Sequence, residues 1–323
     1  MSIRITNLPD GSCLQHFAPG TAAVSIAPDA GFALVSERQD TPAEESLAEA
    51  CRSLDDARTA VVFILPQGSP GTLAAAWRTL SPEFAILLDA PTDLGWLCVR
   101  QGSPLLQTAS REAFWEELVA LVEAGSIEVS FAGSDKAFDE SPAVRLAPLA
   151  PSTSARLPSR VQSAVTAWLS DGTRSRSLTP ERVAMQAGLL LWHDDLDQSH
   201  RRSQTVEGEG ANRNADYWHA IMHRREPDYS NSKYWFRAVG RHPVFERLAP
   251  LAAHVLEQCS AEKAATWRKR ICGGGRWDAF AFVDLCEAVA ADEQSELGRV
   301  ARRIQRTEML LLTEQTHADA GCG

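Results

Sequence analysis

TPERVAMQAGLLLWHDDLDQSHRRSQ (residues 179–204) and NADYWHAIMHRREPDY (residues 214–229) decide how the second half of this chain is built. Thr179 can cap a helix that has Pro180 at its first position, and apolar residues then recur through Leu196. That spacing predicts one long helix running past His200. A second helix is expected over Asn214–Glu226, stopped by Pro227. The loop between them, Val206–Arg213, holds Gly208, Gly210 and Asn212, which would let the two helices pack antiparallel.

At about 100° per residue, His193, Asp197, His200 and Gln204 fall on one stripe of the first helix, which continues back to Leu189 and Gln186. The second helix repeats the pattern, with His219, His223 and Glu226 spaced i, i+4, i+7. Five of the eight histidines and all three tyrosines lie between His193 and His242. Imidazoles and carboxylates at such spacings suit a divalent metal (zinc, iron or manganese), with Asp197, His200, His219 and His223 as ligands. His193 or Glu226 would then complete the shell or serve as catalytic base. The plainer expectation is that each histidine only hydrogen-bonds a carboxylate between packed helices.

The motif departs from known metal signatures. Ala220 stands where the H-E-x-x-H zincins place their general base. His193-Asp194 looks like the HD doublet of phosphohydrolases, but the sole histidine upstream is His16. A pair of E-x-x-H motifs is missing, and the nearest approach is Asp197-x-x-His200 facing a reversed His223-x-x-Glu226. Around these residues, Arg224, Arg225 and Lys233 would hold a small anionic substrate, and Tyr229 and Trp235 would wall it. Asp228–Ser232 looks like a turn and N-cap.

The run YWHAIMHRREPDYSNSKYWFRAVGRHPVF (residues 217–245), with DLDQSHRRSQ (195–204) and WDAFAFVDLCE (277–287), resembles a family of bacterial and fungal proteins of uncharacterised activity. The resemblance covers roughly residues 180–315 and implies no mechanism.

Composition bounds the rest. The 323 residues, 44% hydrophobic and 23% charged, are enough for two globular domains. No apolar run has signal-peptide or bilayer length. Seven cysteines, Cys13, Cys51, Cys98, Cys259, Cys272, Cys286 and Cys322, include no C-x-x-C pair, pointing to reduced thiols and a cytoplasmic location. Residues 1–150 hold 9 basic against 20 acidic side chains, and the remainder 23 against 22. Nucleic-acid binding is therefore not expected, and the acidic half is a candidate surface for a protein partner.

In that first half, strand-like runs (Ala22–Ala27, Phe32–Ser36, Thr59–Leu65, Phe84–Leu88, Gly95–Val99, Ile127–Phe131) alternate with helical ones (Pro42–Ala57, Thr72–Leu80, Ser110–Ala124). The fold class expected is α+β overall: an acidic α/β layered domain over 1–140, a Pro/Ser linker over 141–159, and a mainly α-helical domain over 160–320. Two further features carry fainter signals. Gln67–Thr72 could present backbone amides to an anion, although it matches no phosphate-binding motif. Cys286 has no base nearby in sequence and is expected to be a buried small hydrophobe. The functional expectation is a metal-dependent enzyme, a hydrolase before an oxidoreductase. Its alternative is a non-enzymatic binding module with a metal-free cluster of histidines and carboxylates.

Overall fold

The computed structural model describes residues 146–151 and 178–320, and in the first half residues 4–7, 13–16, 23–26, 32–36, 44–55, 59–64, 96–100, 103–107, 117, 121, 126 and 128–132. The chain divides into two compact units, Met1–Arg145 and Leu146–Gly323.

The described part of the first unit has seven strands: β1 (Arg4–Asn7), β2 (Cys13–His16), β3 (Ala23–Ile26), β4 (Phe32–Ser36), β5 (Thr59–Ile64), β6 (Trp96–Arg100) and β7 (Glu128–Ala132). They form one sheet in the order β1-β2-β3-β4-β6-β5-β7, antiparallel except for the parallel pair β5 and β7. Helix α1 (Glu44–Asp55) follows β4 and packs on β5, burying Ala50 and Leu54 one turn apart. The strands β1 and β2 do not stand out in the sequence: each is only four residues long, and β2 has no β-branched or aromatic strand former. The expected strand Phe84–Leu88, the expected helix Thr72–Leu80 and the Gln67–Thr72 turn lie outside the described residues. So does most of Ser110–Ala124, of which Glu117 and Leu121 are helical.

The second unit is helical: α2 (Pro180–Trp192), α3 (Leu196–Gln204), α4 (Asn214–Arg225), α5 (Tyr229–Val239), α6 (Pro243–Glu257), α7 (Ala264–Cys272), α8 (Ala279–Val289) and α9 (Glu296–Asp319). No helix among the described residues is long and apolar enough to cross a membrane.

The one long helix expected from Thr179 is in fact two. Thr179 caps α2 as predicted, accepting from the Arg182 backbone N–H at 3.3 Å. The helix then stops at Trp192, His193 becomes its C-cap, and Asp194 turns into the left-handed region at φ 61°. Asp is one of the few residues that tolerates that conformation. Asp195 starts α3, its Oδ1 accepting from the Gln198 N–H at 3.2 Å. The D-x-x-Q spacing of a capping box was present in the sequence, masked by continuing apolar periodicity. Arg225 fixes the break from outside. It donates to Leu191 O at 2.7 Å and ion-pairs with Asp194.

Two tryptophans lock α2 and α4 onto α9. Trp192 Nε1 donates to Thr313 Oγ1 at 2.9 Å and Trp218 Nε1 to Thr316 Oγ1 at 3.1 Å. Thr313 and Thr316 lie one turn apart, so a single face of α9 holds both neighbours. Gly188 on α2 makes room for the Trp218 indole, where a Cβ would come within 2.5 Å of the ring. A charged group adds a further link between helices. Glu308 on α9 accepts from Tyr217 Oη at 2.9 Å and pairs with Arg224, all inside the bundle.

Residues 146–151, part of the stretch read as a linker, are held along the helical unit through their backbone. Arg302 donates to the carbonyls of Leu146 and Ala147, and Gln305 and Arg225 donate to that of Pro148. Glu293 accepts from the N–H groups of Leu149 and Ala150 at 2.9 and 3.2 Å.

Two substitutions test this packing. Gly188→Ala forces the Trp218 ring to move and is expected to lower unfolding free energy by about 1–3 kcal/mol. Glu308→Ala strands a buried guanidinium and should cost about 3–5 kcal/mol. Urea denaturation followed by circular dichroism measures both, and a midpoint within error of wild type for either would contradict the packing described.

Candidate metal centre

The site is built on the hairpin of α4 and α5, with α3 laid across it. Helix α4 ends where Pro227 cannot continue it, the Glu226 N–H donating to Met222 O at 2.9 Å. Asp228 then caps α5, its Oδ1 accepting from the Asn231 N–H at 3.1 Å, which also holds its carboxyl below the usual carboxylate range. Helix α5 therefore begins at Tyr229, inside the stretch Asp228–Ser232 expected to be a turn and N-cap. This start brings Asn231 and Trp235, one turn apart, onto the face that meets His219 and His223. Ser232 Oγ donates to Ala220 O at 2.7 Å and joins α5 to α4. Ser199 Oγ donates to Ala187 O at 2.9 Å and fixes α3, with His200 on it, against α2.

Three imidazoles converge. One ring nitrogen from each of His200, His219 and His223 lies within 4.8 Å of the others, and this is the metal-competent group found among the described residues. The His219 and His223 rings stack, with centroids 4.8 Å apart, and His200 meets them edge-on at 4.7 and 5.2 Å. The indole of Trp235 stacks on the far side of His219 at 3.9 Å. A tetrahedral ion bound at about 2.0–2.1 Å draws its ligands to about 3.4 Å from one another.

The three histidines differ in their surroundings. His219 is 0% exposed, and neither ring nitrogen has a hydrogen-bond partner. Burial, reinforced by His223 and His200, lowers its pKa from the ordinary 6.5 to about 3, so the ring is neutral with one lone pair available. His223 is also buried, and burial lowers its pKa against the opposing pull of Glu226. Its Nδ1 lies 3.0 Å from Glu226 Oε2. The Asn231 amide nitrogen lies 3.0 Å from Nε2 but also 3.4 Å from Nδ1. A donor along the Nε2 lone pair would be much farther from Nδ1 than that. The amide thus sits beside the ring and leaves the lone pair open. His200 is only partly buried, which gives the cluster a side toward solvent.

The other expected site residues are elsewhere or otherwise engaged. His193 is buried as the C-cap of α2, outside the converging group, because the break at Asp194 separates it from the His200 stripe. Asp197 is exposed in the first turn of α3 and does not join the three histidines. Arg224 and Arg225, expected to hold a substrate's charge, are sealed in the interior at 1% and 0% exposure, paired with Glu308 and Asp194. Arg224 also lies 4.6 Å over the Phe282 ring. Lys233 pairs with Asp284, which Arg270 shares. Tyr229 is half-buried, which raises its phenol pKa. Cys286 is buried and its thiol pushed up to about 12, as befits a small core residue and not a nucleophile.

No family model, curated protein or solved structure matches the chain.

Acid should destabilise this unit. Burial holds His219 at about 3 and His242 at about 4, both below the ordinary 6.5 of the unfolded chain. His242 is neutral at an N-cap, accepting from the Val244 N–H while its other nitrogen meets Asn214 Oδ1 at 2.9 Å. Between these values the unfolded chain binds protons that the folded one does not. Stability is therefore complete above about pH 6.5 and is lost as pH falls toward 4. Each such group contributes a slope of up to about 1.4 kcal/mol per pH unit. Urea midpoints of the metal-free protein should be lower at about pH 5 than at about pH 7, and equal midpoints would refute the neutral assignment.

Proposed function

We propose that the protein is a metal-dependent enzyme, a hydrolase, with His200, His219 and His223 as metal ligands. The observation that carries this reading is His219. Two polar atoms buried without a partner are costly, about 1–3 kcal/mol for each lost hydrogen bond, and a metal ligand role gives one of them a use. A set of three imidazoles with no thiolate is typical of zinc and related divalent ions, and His200, only partly buried, marks the side from which water and substrate would reach the ion. An ion so held supplies a Lewis acid and a nucleophile from water at neutral pH.

The residues of the chain divide the remaining work. Trp235 walls the site and fixes the His219 ring plane. Glu226 and Asp228 lie beside His223 and make that rim acidic. With Arg224 and Arg225 turned inward, the electrostatic basis for a specifically anionic substrate is weak, and we favour a small molecule of no fixed negative charge. The acidic α/β layered reading of the first unit, its use as a protein-binding surface, and a cytoplasmic location belong to the same proposal.

A metal-free binding module is the competing reading. It would account for His223, which Glu226 engages, but it leaves His219 without a partner. Metal analysis of protein purified without an affinity tag should find about one divalent ion per chain after reconstitution with zinc. The His219→Ala/His223→Ala double variant should hold none. If reconstituted wild type holds no more metal than the variant, the proposal is overturned.

A further inference from the structure

We infer that Glu226 is a positioning residue for the metal centre: by accepting the Nδ1 proton of His223 it directs the Nε2 lone pair of that ring to the ion. The inference rests on the metal reading above.

A neutral imidazole carries one N–H and one lone pair, and its other contacts decide which nitrogen has which. His223 Nδ1 faces a carboxylate oxygen at 3.0 Å, a group that only accepts, so the proton is on Nδ1. Asn231 sits beside the ring and does not reverse that choice. His219 has no such partner on either nitrogen, and its orientation comes from stacking between Trp235 and His223. Of the two buried ligands, only His223 has its tautomer set by a carboxylate.

The location of Glu226 argues against a purely structural role. It is the C-cap residue of α4, where the helix dipole disfavours a negative charge. Its side chain is 53% exposed and therefore contributes little to the core. The next helix does not need it, since Asp228 already caps α5. A carboxylate placed against the dipole, exposed, and aimed at one imidazole nitrogen fits the outer-shell partner that metal-bound histidines usually have.

The test is zinc affinity by competition with a chromophoric chelator at fixed pH, for the full chain and for Glu226→Ala and Glu226→Gln. Glu226→Ala should bind zinc about 10- to 100-fold more weakly under conditions where the metal-free variant is still fully folded by circular dichroism. Glu226→Gln keeps an acceptor through its amide oxygen and should recover part of the loss. Nitrogen-15 spectra of the metal-free protein should show His223 as the Nδ1–H tautomer in wild type and as a mixture in Glu226→Ala. Zinc affinity within twofold of wild type in Glu226→Ala overturns the positioning role while leaving the metal centre standing. Failure of wild type to bind zinc overturns the metal centre itself, and this inference with it.

Discussion

Helix α4 is buried along its whole length from Asn214 to Arg225, so each polar side chain it carries needs a partner inside the protein. Nearly all of them have one. Asn214 meets His242 and Asp319, Asp216 accepts from the Gly208 N–H, and Tyr217 and Arg224 share Glu308. Trp218 reaches Thr316, His223 reaches Glu226, and Arg225 engages Leu191, Asp194 and Pro148. These partners come from several neighbouring segments, so the demand of one helix for hydrogen bonds organises the bundle around it. His219 stands apart in this set, with both nitrogens unpartnered.

That contrast separates side chains serving the fold from those available for chemistry. The sequence offers two adjacent arginines and two nearby histidines as one polar run. In the structure, Arg224 and Arg225 face inward and carry the charge pairing of the core, while His219 and His223 turn to the side covered by α3 and α5. Arg225 also reaches the turn at Asp194, whose shape sets the start of α3 and hence the place of His200. The same guanidinium holds Pro148 O, so the segment at residues 146–151 is bound into the network that shapes the site.

The helices of the second half were largely legible. Caps and stops such as Thr179-Pro180 and Pro227 placed a helix start and a helix end within a residue or two, because these signals act locally through one or two backbone bonds. The pairing of His219 with His223 followed from helical spacing alone. His200 could be named as their companion, but His193 and Asp197 were grouped with it on the assumption of a continuous helix. Asn231 carries no such signal, because Asp228–Ser232 is rich in turn-forming residues although Asp228 starts a helix at once.

What the sequence by itself determined was local: which segments coil, where most of them stop, and which residues share a helical face, since each depends on neighbours a turn away. Tertiary structure reinforced the break at Asp194, which the local Asp195-x-x-Gln198 cap only hints at and which a guanidinium from a different helix holds. It also decided which charges are interior and which three imidazoles meet. Those outcomes depend on side chains far apart in the chain competing for the same buried space and the same hydrogen-bond partners, and periodicity along one segment carries no record of that competition.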